Sequence, residues 1–269
     1  MRWIGDVHPL VISFYRLAFS AITLFPFLFT AKTSLKSPLK KNAILLVLAG
    51  FFLAMHFYSW ITSLQMTTVG RSIFLESTHP FFALILSILF LKEHASRNLI
   101  PALLLGIAGM YFTVHADFFG DRSALSGDGL ALISAFCVAA YLIIARKTTN
   151  NFPLLQYLFF VYGIAALIIL IILGVKQINF WLLPAPIWLL LIALALGPHL
   201  IGHSLLNWSS RRMPVYVVNM ALLGESVLAT IMAYVFLEEI PDLYFLLGAL
   251  LIIVSIGWVF WKQRDASIS

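Results

Sequence analysis

Several ionisable side chains lie inside long apolar runs, where such groups are costly and are read first as functional. Glu76 and His79 stand three residues apart, on one helical face, with Ser72 four residues before Glu76. Pro80 follows and withdraws a backbone donor, which opens a helix bend at mid-membrane. His56 and Trp60 share a face of another run, and His199, His203 and Asn207 follow one another at four-residue intervals on a third. Glu225 comes directly after Gly224, a second candidate bend, with Asn219 six residues earlier. A carboxyl group in hydrocarbon favours its neutral form. That suits it either to hydrogen bonding between helices or to alternating between a proton and a cationic substrate. His199 and His203 also have the spacing of metal ligands on a helix. No third ligand follows nearby, whereas catalytic zinc takes three protein ligands, so polar packing or substrate contact is the better reading. Trp60, Tyr141 and Trp208 either line a cavity or anchor helix ends at the interface. Arg16, eight residues into its run, either snorkels or pairs with a carboxylate.

These residues need elements that hold them in lipid. The 269-residue chain is 62% hydrophobic and 10% charged, with a mean hydropathy of +0.99. A soluble domain carries about 25% charged residues. Nine apolar segments recur, at 9–29, 42–63, 69–91, 98–116, 127–146, 153–174, 186–206, 215–236 and 243–262. Each is about the 20 residues that a helix needs to cross a bilayer, and the runs are continuous rather than alternating, so helices are predicted and a β-barrel is not. The net charge of +6 is carried in short loops, which points to topology and not to nucleic acid. The single cysteine, Cys137, excludes an internal disulfide and a multi-cysteine metal site. No phosphate-cradling loop, nucleophile elbow or His-Glu-x-x-His motif occurs, so neither ATP-driven transport nor a soluble-enzyme chemistry is indicated, and no cofactor is implied.

Loop charges predict an orientation. Lys32, Lys36, Lys40, Lys41, Lys92, Arg97, Arg146, Lys147, Arg211, Arg212, Lys262 and Arg264 fall on one side. Arg2, Arg71, Arg122 and Lys176 fall on the other, together with Asp6, Asp117, Asp121, Asp128, Glu238, Glu239 and Asp242. The positive-inside rule makes the first side cytoplasmic and puts the C-terminus there. The chain also repeats itself. "HFYSWITSLQMTTV" (56–69) aligns with "HSLLNWSSRRMPVY" (203–216) at an offset of 147 residues, and "HPFFALILSILFLKE" (79–93) with "ESVLATIMAYVFLEE" (225–239) at 146. Segments one to four then pair with segments six to nine, and the fifth is left alone. The expected complete fold is ten helices in two inverted five-helix repeats, with one helix upstream of Met1; a genuine nine-helix protein is the alternative.

The stretch "ALLGESVLATIMAYVFLEEIP" (221–241) resembles the penultimate-helix signature of the EamA family of the drug/metabolite transporter superfamily. "THPFFALILSILFLKE" (78–93) resembles the matching motif of the first half, with Pro80 in place, and "RLAF" (16–19) after Pro9 resembles the second helix. "HFYSWITSL" and "GPHLIGHSLLNWS" resemble a subgroup with a histidine in each paired helix. The resemblance spans nearly the whole chain. It implies a first repeat over 1–116, lacking its first helix, and a second over 127–264. It also implies a secondary transporter that moves a small polar metabolite, such as an amino acid, commonly outward and without ATP. Glu225 matches the motif glutamate; Ser226 departs from the family, which has proline there. The expected pathway for substrate or proton comprises Glu225, Glu76, His79, His56, His203, His199, Asn207, Asn219 and Trp60. The expected partners are a small-molecule substrate and the lipid bilayer of the cytoplasmic membrane, with no nucleic acid; a homodimer is compatible. Two other readings stand beside it: an intramembrane metal enzyme using His199, His203 and Glu225, and a membrane protein that transports nothing.

Overall fold

The computed structural model describes residues 7–30, 36–93, 99–118, 125–148, 152–238 and 240–268. Arg2, Asp6, Lys32, Arg97, Asp121, Arg122 and Glu239, from the loop charges above, lie outside the described residues, as do the side chains of Lys36, Asp117 and Arg264. Every regular element among the described residues is helical. Seven helices are long and apolar enough to span a membrane: α1 (Pro9–Phe29), α2 (Leu39–Met66), α3 (Val69–Leu91), α5 (Leu125–Lys147), α6 (Leu154–Val175), α7 (Ala185–Ser210) and α9 (Leu243–Lys262). Two shorter apolar helices complete the order, α4 (Leu99–His115) and α8 (Val215–Leu228), the latter continuing to Leu237. Each corresponds to one of the nine segments read from the sequence. Proline marks several starts. Pro9 opens α1, and Pro153, Pro184 and Pro214 sit immediately before α6, α7 and α8, where a missing N–H costs nothing.

Contacts group the chain into two compact units that cut across the sequence halves. Unit 1 holds residues 1–61 and 140–212, and unit 2 holds 62–139 and 213–269. The division falls inside α2 and inside α5. In unit 1, α1 packs along α6. The buried face of α6 is Leu158, Val161, Tyr162, Ala165, Ala166, Ile169 and Leu173, an amphipathic stripe at helical spacing, while Leu167 and Ile171 face outward. Helices in lipid gain little from hiding apolar surface from one another, so close approach at small residues matters more. Gly50 of α2 is such a place: a Cβ there would stand 2.6 Å from Ile164 Cγ2.

In unit 2, α4 packs along α9. Gly109 and Gly248 meet backbone to backbone: a Cβ on Gly248 would lie 2.5 Å from the Gly109 carbonyl oxygen. Gly106, the other glycine of "GIAG", meets Ser255, and the Ser255 hydroxyl donates to the Ala102 carbonyl at 2.6 Å. These contacts are related by the 146-residue offset. Gly109 against Ile252 becomes Ser255 against Gly106, and Gly109 against Gly248 becomes Ser255 against Ala102. The α4–α9 seam is therefore pseudo-two-fold. The backbone of unit 2 repeats at the same offset. Helix α3 breaks at Ser77 and Thr78, and α8 breaks at Leu223. Lys92 (φ 56°) and Glu238 (φ 58°) both take left-handed backbone just past their helices.

Candidate functional site

Unit 1 gathers five of the predicted residues. The winding of α7 widens to a π-helix over Ala195–His203, and both histidines of the stripe lie in it. Such widenings recur at functional positions. His199 and His203 have ring centroids 4.9 Å apart, and His203 lies 6.1 Å from His56, its partner in the 147-residue repeat. His56 stacks parallel on Trp60, with 7° between the planes at 6.2 Å. Phe57 touches both His199 (5.0 Å) and His203 (5.1 Å), and Tyr162 closes on His199 at 4.5 Å. Asn207 donates its amide to the Tyr141 hydroxyl and, at 2.6 Å, to the His203 carbonyl. The Arg16 guanidinium lies 4.5 Å from the centroid of Phe57 and within electrostatic reach of His199 and His203. This is the environment that the sequence left undecided for Arg16.

The cluster is buried but not internally satisfied. Both ring nitrogens of His199, Nδ1 of His203, Oδ1 of Asn207 and Nε1 of Trp60 have no hydrogen-bond partner among the described residues. Buried polar groups are nearly always bonded, and leaving one unmade costs about 1–3 kcal/mol. Five such atoms lie beside three histidines and four aromatic rings.

Unit 2 holds the carboxyl groups. Glu76 ends the first part of α3, and Ser77 and Thr78 turn the chain, each hydroxyl donating back at 2.7 Å, to the Ile73 and Leu75 carbonyls. His79 and Pro80, both buried, open the second part, with Pro80 at its start, where its missing N–H is harmless. Gly224 opens the second part of α8 with Glu225 in its first turn. The Ser226 hydroxyl donates to the Leu223 carbonyl at 3.0 Å, bridging the break. Glu76 and Glu225 lie close enough to act on each other's charge. Asn219 is fully buried, donating to the Val215 carbonyl at 2.8 Å, with no partner for Oδ1 among the described residues. The Ser63 hydroxyl donates to that of Ser72 at 2.8 Å. At the end of α5 nearest these helices' turn, Asp128 takes Thr67 Oγ1 at 2.9 Å and Arg71 Nε at 3.2 Å.

Sequence reasoning missed Phe57 and Tyr162, the ring neighbours of the histidines, and weighed Trp208 for a cavity. Trp208 is 46% exposed, under Arg212. Among the described residues no group of three or more His, Cys, Asp or Glu side chains is arranged to hold a metal ion.

Nine apolar helices among the described residues, with polar side chains buried on their faces, make a polytopic helical bundle of the kind that spans a membrane. The chain belongs to the EamA-like transporter family, which it matches over residues 1–115 and 125–261. It is 26% identical over 270 residues to a Rickettsia bellii protein named as an S-adenosylmethionine uptake transporter, covering 98% of this chain and 88% of that one. A Rickettsia conorii protein of the same name matches at 26% over 98% of this chain and 87% of its own length. A Bacillus subtilis protein named as an uncharacterized transporter is 24% identical over 94% of this chain and 82% of that protein. A solved crystal structure superposes with a TM-score of 0.82 at 16% identity, over 98% of this chain and 91% of that one, which shows the fold alone.

Proposed function

We propose that this protein is a secondary carrier that exchanges a small metabolite bearing an amino-acid head across the cytoplasmic membrane, with S-adenosylmethionine the first candidate. The observation that carries the reading is the buried, unsatisfied histidine–aromatic cluster of unit 1. S-adenosylmethionine joins a flat adenine to a sulfonium cation and an amino-acid head. Trp60, His56, Phe57 and Tyr162 offer ring faces to a base, and His199, His203 and Asn207 offer the donors and acceptors that a base edge needs. The relatives named for S-adenosylmethionine uptake favour this candidate over a plain amino acid.

Glu225 and Glu76 supply the coupling. Glu76 closes the first part of α3 and Glu225 opens the second part of α8, positions where a carboxyl group can take up a proton or a cation. Alternation between proton and substrate cation at Glu225 ties the two flows together. Exchange accommodates both the outward transport that the family resemblance implies and the uptake in the relatives' names. The loop charges support a cytoplasmic C-terminus. The recurring 146-residue offset supports two repeats, over 1–116 and 127–264, in inverted order. The test is uptake of radiolabelled S-adenosylmethionine by liposomes preloaded with the unlabelled compound. Saturable counterflow is expected. Its absence, with counterflow of an amino acid from a panel, would replace the substrate and keep the carrier.

A further inference from the structure

The inward stripe of α7 does not end at Asn207. Arg211 follows four residues later, the interval that also separates His199, His203 and Asn207, so all four share one face. Ile201, Leu205 and Trp208 make the opposite face, exposed at 61%, 58% and 46%. Arg212 extends that outward face, its guanidinium 4.1 Å from the centroid of Trp208. Two adjacent arginines are thus used differently: Arg212 lies on the surface, and Arg211 is turned inward at 7% exposure.

Arg211 donates Nη1 to the Phe152 carbonyl at 2.7 Å and lies over the Tyr157 ring at 4.6 Å. Its Nε and Nη2 have no hydrogen-bond partner among the described residues, nor does the buried hydroxyl of neighbouring Ser210. Arg146 comes to the same place, donating Nη1 to the Arg211 carbonyl at 2.7 Å. One Nη1 bond and an aromatic face would fix the side chain. What is left open is the Nε–Nη2 edge, whose two parallel N–H groups match the two oxygens of a carboxylate. Buried charged donors left unmade are expensive, so an edge open in this way is suited to the oxygens of a ligand.

We propose that Arg211 is a carboxylate-binding subsite at the Lys/Arg-rich end of the His199–His203–Asn207 ladder, gripping the amino-acid carboxylate of the transported metabolite through its Nε–Nη2 edge. The proposal rests on the carrier reading above and adds a residue and a chemical group to it. A lipid phosphate carries similar oxygens, but it would reach the outward face, where Trp208 and Arg212 stand.

The test compares S-adenosylmethionine with its decarboxylated analogue as inhibitors of labelled S-adenosylmethionine counterflow in liposomes, for wild type, Arg211→Met and Arg211→Lys. The wild type should prefer the carboxylate-bearing compound by about tenfold or more, the scale of a hydrogen-bonded charged group. Arg211→Met should bring the ratio near one while the decarboxylated compound still inhibits, which also shows a folded carrier. Arg211→Lys, which keeps the charge but not the fork, should retain only part of the preference. An unchanged ratio in either variant overturns the subsite. If Arg211→Met binds neither compound, Arg211→Lys alone decides. If the wild type shows no S-adenosylmethionine counterflow, the substrate reading has failed, and the subsite is then judged by thermal melting with a panel of amino acids and their amides. Stabilisation by an acid but not its amide, lost in Arg211→Lys, supports it; no acid-over-amide difference in the wild type overturns it.

Discussion

In unit 1 the polar side chains stand on helices that run on without a turn, crowded by aromatic rings and short of partners. In unit 2 they stand at helix breaks, with hydroxyls of Ser77, Thr78 and Ser226 folding back on nearby carbonyls. The first arrangement is underbonded, as the proposed recognition surface would be before its ligand arrives. The second places a carboxyl group beside a discontinuity in each of two repeat-related helices, where a change of charge acts on backbone already freed from the helical ladder. We read the difference as a separation of recognition from coupling, and mutation can break it.

The largest effect is expected at Glu225. Glu225→Gln should abolish uptake driven by a pH gradient, to the background of empty liposomes, while the purified protein keeps its helical circular dichroism. Full gradient-driven activity would remove the coupling role. Next is His199→Leu. A buried imidazole with neither nitrogen bonded contributes little to stability, so an apolar replacement should leave the thermal unfolding midpoint within a few degrees. Counterflow should nevertheless fall severalfold or more. A large loss of stability with normal transport per folded molecule would make the histidine a packing residue.

The close helix approaches sharpen the contrast in packing. Gly248→Ala should cost roughly 1–3 kcal/mol, as overpacking does, because its Cβ would meet the Gly109 carbonyl oxygen and the Thr113 amide nitrogen, at 2.5 and 2.7 Å, and backbone cannot step aside. Gly197→Ala, with nothing within 4 Å, should cost nothing of that kind. Unfolding in detergent–denaturant mixtures compares the two. Smallest is the gain at the left-handed positions. Lys92→Gly and Glu238→Gly should each stabilise by about 0.5–1 kcal/mol, and by similar amounts if the repeat governs both.

The nine helices were legible because each is an apolar run of membrane-spanning length, and their ends follow the loop charges and prolines. The repeat was expected from "HPFFALILSILFLKE" and "ESVLATIMAYVFLEE", and their 146-residue offset returns in the backbone at Lys92 and Glu238. The two interleaved units were not legible, because helix pairing in lipid depends on shape at residues such as Gly50 and Gly248 and leaves no period in the sequence. His56, His199, His203 and Asn207 announced themselves by polarity in an apolar run. Phe57 and Tyr162 did not, being ordinary members of theirs. Arg211 was read as a topology charge; extending the four-residue stripe of α7 by one step would have singled it out.

The central claim is that recognition belongs to the unit 1 cluster and coupling to the unit 2 carboxyl pair. It is tested most directly by measuring both gradient-driven uptake and counterflow of S-adenosylmethionine in the same liposomes, for wild type, Glu225→Gln and His203→Leu. The account predicts that Glu225→Gln keeps counterflow and loses gradient-driven accumulation, while His203→Leu loses both. Loss of the two activities together in Glu225→Gln, with His203→Leu unimpaired in both, would contradict it.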